Sequence, residues 1–416
     1  MHPRVRAPWF WPEWVWLAGL SLILLVRFPG NFILHPPYLM DFDVYRDVAM
    51  RVVHGQAAHL YDPTTSQLML FKYAPCWALI VAPLAWLPPQ AGAVLWSALT
   101  VCWLIGACWF ASRLCRDAGL MTPPWLSALA VAVLVRPVTA EFLNGQVDML
   151  WALLVGIALA ALDDRPLWSA AGLALAISLK LPATLVLLYV LARRRWRLAG
   201  ATLALFLLLN ATASLLLSPS HGFRLVRDWF AVLGSSGASR AFEIGNQSLL
   251  ALAGRLLRHD GFGLNVLTLP DATVVFATLL VQVLLFAALF APPAGRLPPR
   301  ARLAFDGALL CVFMVLFSPT CWVATYSALI FPVSLALARF ASALNETWRR
   351  PSWAAGLAGL VVFSALTHST LWHRMGVHYF KGESYVFEVL MILPLFGLAL
   401  AWCLWHQRRV AAARLS

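Results

Sequence analysis

WVWLAGLSLILLV, residues 14–26, gives way after a short interval to MDFDVYRDVAMRVVHGQAAHLYDP, residues 40–63, and the contrast between the two decides the fold. The first is uncharged hydrocarbon and opens a span-length apolar segment. The second packs Asp41, Asp43, Asp47 and Asp62 into a chain that is otherwise mostly apolar. Carboxylates this dense call for water, or for a site that uses them. The acidic stretch is therefore expected just outside a membrane, at the mouth of a helix bundle, where a protein meets lipid-carried molecules.

The rest of the chain repeats this pattern. It has 416 residues, 61% of them hydrophobic and 12% charged, with a mean hydropathy of +0.77. The apolar runs are too long and continuous for the alternation of an outer-membrane barrel, and in lipid the backbone must satisfy its own polar groups, so the fold class is all-α, a polytopic membrane helical bundle. The net charge of +13 would suggest nucleic acid in a soluble protein. Here the basic residues fall in short clusters between apolar runs and read as topology and headgroup signals, so no nucleic-acid partner is expected. The seven cysteines are scattered without metal-like spacing and read as small buried hydrophobes. The start, MHPRVR and then an apolar run, lacks a small-x-small cleavage site and reads as an uncleaved first span.

Apolar segments fall at 13–31, 73–88, 91–112, 125–142, 147–162, 166–179, 181–192, 198–217, 272–291, 303–317, 320–338, 353–371 and 384–405. The arginine clusters RLCR (113–116), RRRWR (193–197), RLPPRAR (296–302), WRR (348–350) and QRRVAAAR (407–414) are assigned to the cytoplasmic side with the N-terminus. Thirteen crossings break that parity. Segment 73–88 reaches only about 24 Å against a core of roughly 30 Å and carries Pro75, Pro83 and Pro88, so it is read as juxtamembrane or re-entrant, leaving about twelve crossings in a single domain, 1–416. Loop 32–72 and loop 218–271 then face outward, as do Lys72, Lys180 and Lys381, the lysines of this arginine-rich chain. No internal repeat is visible.

Each polar motif carries a structural and a functional reading. Asp41 and Asp43 suit the first turn of a juxtamembrane helix. Asp41 also suits a general base, taking a proton from an acceptor hydroxyl while a phosphate leaves the other face of a sugar, and Asp43 and Tyr45 are grouped with it as substrate-binding candidates. HLYDP (59–63) is a turn. Lys72 and Tyr73 are either interface anchors or a cation and phenol that grip a lipid phosphate. In NGQVD (144–148), Asn144 and Gln146 belong to a capped turn or to the site. Lys180, between two short apolar pieces and just before Pro182, is functional by default, with a carboxylate or a bound phosphate as partner. Asn246 and Gln247, with Ser248, cap a helix or meet sugar hydroxyls. Trp322, in SPTCW (318–322), fits an aromatic belt or the site. His368, His373 and His378, at steps of five, do not align on one helical face, and no metal is assigned.

The stretches DFDVYRDVAMRVVHGQAAHLYD (41–62), KYAPCWALIVAPLAWLP (72–88), NGQVDMLW (144–151), ISLKLPATLVLLYVLARRRW (177–196), NQSLLALAGR (246–255) and SPTCW (318–322), in this order, resemble the polyprenol-phosphate-mannose-dependent mannosyltransferases of glycosyltransferase family 87, integral-membrane enzymes of the GT-C type. The resemblance implies a catalytic aspartate in the first extracytoplasmic loop, matching Asp41, and a sugar donor carried on a polyprenyl phosphate. One departure stands out: the family pattern often places a histidine pair shortly after the tryptophan, where this chain has Val323, Ala324, Thr325 and Tyr326.

The expectation is an inverting transfer of mannose or a related sugar from a polyprenyl-phosphate donor to a glycolipid or glycan acceptor, with Asp41 as base. Lys72, Tyr73 and Lys180 would hold the donor phosphate. No metal or cofactor is expected beyond the lipid-linked co-substrate; the setting is a bacterial inner membrane, with the site on the extracytoplasmic face. A lipid-linked saccharide flippase should instead place acids near the midplane in repeated broken helices, whereas the acids here read as loop residues. A non-catalytic envelope-assembly protein would tolerate loss of Asp41.

Overall fold

The computed structural model describes residues 13–35, 39–62, 69–259, 264–290, 297–344, 359, 362–363, 366–367 and 386–413. Helix α1 (Glu13–Leu34) loosens into a π-helical turn at Val26–Gly30, where Pro29 supplies no amide hydrogen to the helical ladder. Helix α2 (Met40–Val53) is the acidic stretch, and α3 (Pro75–Trp86) is the short segment of uncertain crossing, about 18 Å long at 1.5 Å per residue. The body follows: α4 (Pro89–Asp117), α5 (Leu126–Val133), α6 (Val135–Asn144), α7 (Asp148–Ala160), α8 (Pro166–Leu179), α9 (Leu181–Ala192) and α10 (Trp196–Leu217). Loop 218–271 is not featureless, since it holds α11 (Arg224–Arg240) and α12 (Leu249–Leu257). Helices α13 (Asp271–Ala288), α14 (Pro299–Leu316), α15 (Ile330–Leu344) and α16 (Ile392–Ala413) complete the described bundle. The expected span 353–371, Lys381 and the three spaced histidines lie outside the described residues, apart from a few isolated positions in that span.

Among the described residues, five helices are long and apolar enough to cross a bilayer, or six if α5 and α6, bent by 74°, count as one span. Pro137 explains the bend, because it cannot donate to the carbonyl of Val133, and α5 ends there. A total of twelve crossings would need the shorter helices α7, α8 and α9 to span as well, together with α14, α16 and the segment 353–371 that lies outside the described residues. Helix α4 packs on α7, α7 on α8, and α8 on α10. Small residues set this spacing: a methyl at Gly172 would lie 3.0 Å from the Leu154 carbonyl oxygen, and Ser169 Oγ donates to the Ala158 carbonyl at 2.7 Å. Five of the cysteines are buried and all seven are free.

The two ends of the bundle differ in charge. At one end, arginines from separate turns converge on the buried Asp306 of α14: Arg408 at 3.0 Å, Arg302 at 3.6 Å and Arg193 at 3.9 Å, with the Tyr189 hydroxyl donating at 2.8 Å. Arg195 pairs with Asp163 beside them, and Arg300 with Asp164 at 3.8 Å. The other end holds Lys72, Lys180 and the acidic stretch. The expectation that the acids lie in loops is corrected here, since Glu141, Asp148 and Asp306 are all fully buried in helices, the first two at helix ends.

Candidate active site

Asp41 lies in the first turn of α2, as the helix-start reading expected, and not in a loop. What brings it to the site is the turn between α6 and α7. Gly145 ends α6 in the left-handed region at φ 70°, and a side chain there would press on Phe42, with Cβ to Cβ at 2.8 Å. The turn carbonyl accepts from Trp96 Nε1 at 2.9 Å. With α2 seated this closely, Gln146 Nε2 donates to Asp41 Oδ2 at 2.6 Å.

The lysines arrive by a second set of backbone locks. The Ala74 amide donates to the Ser178 carbonyl at 3.0 Å, joining the chain after Lys72 to the chain before Lys180. Asn210 of α10 clamps the same place: its Nδ2 donates to Ser178 Oγ at 2.9 Å and its Oδ1 accepts from the Cys76 amide at 3.3 Å. The Tyr61 hydroxyl donates to the Tyr73 carbonyl at 2.7 Å, and Trp229 Nε1 to the Lys72 carbonyl at 2.9 Å. The Tyr45 and Tyr73 hydroxyls share a 2.7 Å hydrogen bond. Lys180 Nζ donates to the buried Asp148 at 2.5 Å, which settles its partner as a carboxylate. Next to it Glu141 accepts from the Met149 amide at 2.9 Å and from Ser327 Oγ at 3.2 Å.

This framework presents part of its polar groups to one cavity of about 1320 Å³. Asp41, Tyr45, Lys72, Tyr73, Asn144, Gln146, Lys180 and Trp322 all reach it, so most of the expected site converges. Three expected residues do not. Asp43 lies off the lining, on a face of α2 turned from the cavity. Asn246 is fully buried and fully used: its Nδ2 donates to the carbonyls of Arg240, Ala241 and Pro319, and its Oδ1 accepts from the amides of Ser248 and Cys321. Gln247, also buried, donates to the Glu388 carbonyl at 3.0 Å. The Asn246 amide ties the loop before α12 to the turn at 318–322, and the Gln247 amide ties it to Glu388, so neither side chain reaches the cavity. The cavity also takes in Arg136, Arg240, Glu243 and Glu388, which the sequence reading passed over. Among these, the arginine in the apolar run 125–142 was the detectable signal, because charge inside such a run is seldom incidental.

Burial raises the Asp41 carboxyl to about 6, against the opposing pull of Lys180, Lys72 and the Gln146 hydrogen bond. Burial, with Arg240 adding to it, lowers Lys72 to about 8. A carboxylate of raised basicity thus shares a large, mostly apolar cavity with two lysines that act on its charge. Such a site can take a proton from a hydroxyl and hold an anion.

Residues 71–319, more than half of the chain, match the profile described as Glycosyltransferase family 87. The chain belongs to that family. Relatives at the sequence level include a polyprenol-phosphate-mannose-dependent alpha-(1-2)-phosphatidylinositol mannoside mannosyltransferase of Mycolicibacterium smegmatis, 26% identical over 87% of this chain and 84% of the relative. A protein of the same description from Mycobacterium tuberculosis H37Rv is 29% identical over 38% of this chain and 41% of its own length. A phosphatidylinositol pentamannoside mannosyltransferase from strain CDC 1551 is 27% identical over 63% of this chain and 59% of its own. In this family 87 chain the profile begins at Phe71 and ends at Pro319, so it covers Lys72, Gln146 and Lys180, while Asp41 stands ahead of it and Trp322 just beyond it.

Proposed function

We propose that this chain is an inverting membrane mannosyltransferase, which moves mannose from a polyprenyl-phosphate donor onto a hydroxyl of a mannose-bearing glycolipid of the phosphatidylinositol mannoside kind. The observation that carries the reading is Asp41, held by Gln146 and sharing with two lysines a cavity with a long apolar wall. Gln146 occupies Oδ2, leaving Oδ1 to accept the proton of the acceptor hydroxyl as its oxygen bonds to the sugar's anomeric carbon. The bond to the phosphate oxygen breaks on the opposite face and the lipid phosphate leaves with the electron pair. A phosphate needs little protonation to leave, so one base suffices. The lysines offset the charge it carries away.

The apolar wall suits the isoprenoid. Leu185 and Leu188 of α9 and Leu279, Val283 and Phe286 of α13 line the cavity, and Leu188, Leu279 and Val283 are exposed. A lipid tail there passes into the bilayer without crossing a polar surface. The cluster of Arg193, Arg302 and Arg408 at the Asp306 end supports an extracytoplasmic site in an inner membrane. The test is transfer of labelled mannose from polyprenyl-phosphomannose to phosphatidylinositol mannosides by purified protein. Turnover lost in Asp41→Asn, with donor binding retained, is the expected result; undiminished transfer by that variant would sink the reading.

A further inference from the structure

Arg240 closes α11 on the wall of the cavity that also holds Lys72. The two are fixed relative to each other, because Trp229 of the same helix donates its indole N–H to the Lys72 carbonyl at 2.9 Å. The Arg240 guanidinium lies 6.0 Å from the centroid of the Trp322 ring, and Gly245 leaves room for that ring, since a Cβ there would come within 2.9 Å of it. The carboxylate nearest to Arg240 is Glu243, 3.8 Å away and 44% exposed at the rim, a pairing that water screens. Lys72 makes no side-chain hydrogen bond or ion pair among the described residues. Lys180 differs, being closed onto Asp148.

Two cations therefore share a wall, and neither is closed onto a buried carboxylate as Lys180 is. We propose that Lys72 and Arg240 form a two-cation clamp for the phosphate of a polyprenyl monophosphate, with Arg240 as a phosphate-binding residue and Lys180 committed to Asp148. The guanidinium fork takes two phosphate oxygens while the ammonium takes the third as a point charge. The proposal rests on the lipid-phosphate donor of the previous section.

The experiment uses the full chain in lipid nanodiscs and compares binding of a polyprenyl monophosphate with that of the matching polyprenol. Wild type should prefer the phosphate, and Arg240→Gln should cut that preference by about tenfold to a hundredfold while leaving the alcohol's affinity unchanged. Arg240→Lys should fall between them. A wild-type preference retained in Arg240→Gln overturns the clamp and leaves the donor reading standing. Equal binding of phosphate and alcohol by wild type overturns both. A second measurement needs no variant: phenylglyoxal modification of Arg240, followed by peptide mass spectrometry, should be blocked by polyprenyl monophosphate and not by polyprenol. Modification that the phosphate lipid leaves unchanged also overturns the clamp.

Discussion

A carboxyl raised to about 6 by burial is half-protonated in mildly acidic buffer, so the rate should fall as pH drops through that value, where Asp41 loses its basic form. The Gln146 hydrogen bond favours the ionised form. Replacing Gln146 with leucine should therefore move this acid limb upward, visible in a pH profile of kcat/KM. Asp41→Asn should lower kcat by about a hundredfold to ten-thousandfold, whereas Asp43→Asn, off the cavity, should stay near wild type in the same transfer assay. The same shift carries a stability cost. A carboxyl whose folded value lies above the ordinary 3.8 favours folding most at low pH, and that advantage is lost as pH rises toward 6. At pH 8 Asp41→Asn should therefore melt higher than wild type, as a base held for chemistry rather than for stability would.

The elements that carry the site are held by turns whose residues are poor candidates for substitution. Gly145→Ala puts a Cβ at φ 70° and against Phe42, so α2 must move away from α6 and Asp41 from Gln146. A loss of about 1–3 kcal/mol in stability, with a larger loss of activity, is expected from thermal melting and transfer assays. Lys180→Gln leaves the Asp148 carboxylate buried without its cation and should cost about 3–5 kcal/mol, while Lys72→Gln should melt near wild type and weaken the donor. This asymmetry between the lysines was not legible in the sequence, because the partner of Lys180 is thirty-two positions away and across a helix junction. The same limit explains Asn246. Its amide, next to Gln247 and Ser248, suggested sugar contacts, yet five hydrogen bonds to backbone occupy it, three within 240–248 and two to Pro319 and Cys321, and no local pattern announces the non-local pair. Asp41, Lys72 and Gln146 were legible because polar residues beside long apolar runs have few other reasons to be there.

At the scale of the whole molecule the apolar runs were read correctly as helices, but their number does not translate directly into crossings. Hydropathy sees the runs at 166–179 and 181–192 as equals of the run at 198–217, whereas Lys180 and Pro182 break the first two into helices of 10–17 residues and Trp196–Leu217 is continuous. Charge placement is the stronger guide to orientation. Arg193, Arg302 and Arg408 meet at Asp306 at one end, and Lys72, Lys180 and Asp41 share the cavity at the other, so under the positive-inside rule we propose the Asp306 end as the cytoplasmic pole. Ser239 on α11 and Arg194 and Arg300 near the Asp306 end are all exposed. In intact cells an impermeant maleimide should label Ser239→Cys, and should label Arg194→Cys and Arg300→Cys only after permeabilisation. Exposed Cys102 sits in the apolar α4, so its background is measured in the unsubstituted chain. Labelling with the opposite sidedness would put the Asp41 cavity at the cytoplasmic surface, and the donor would then have to be presented there.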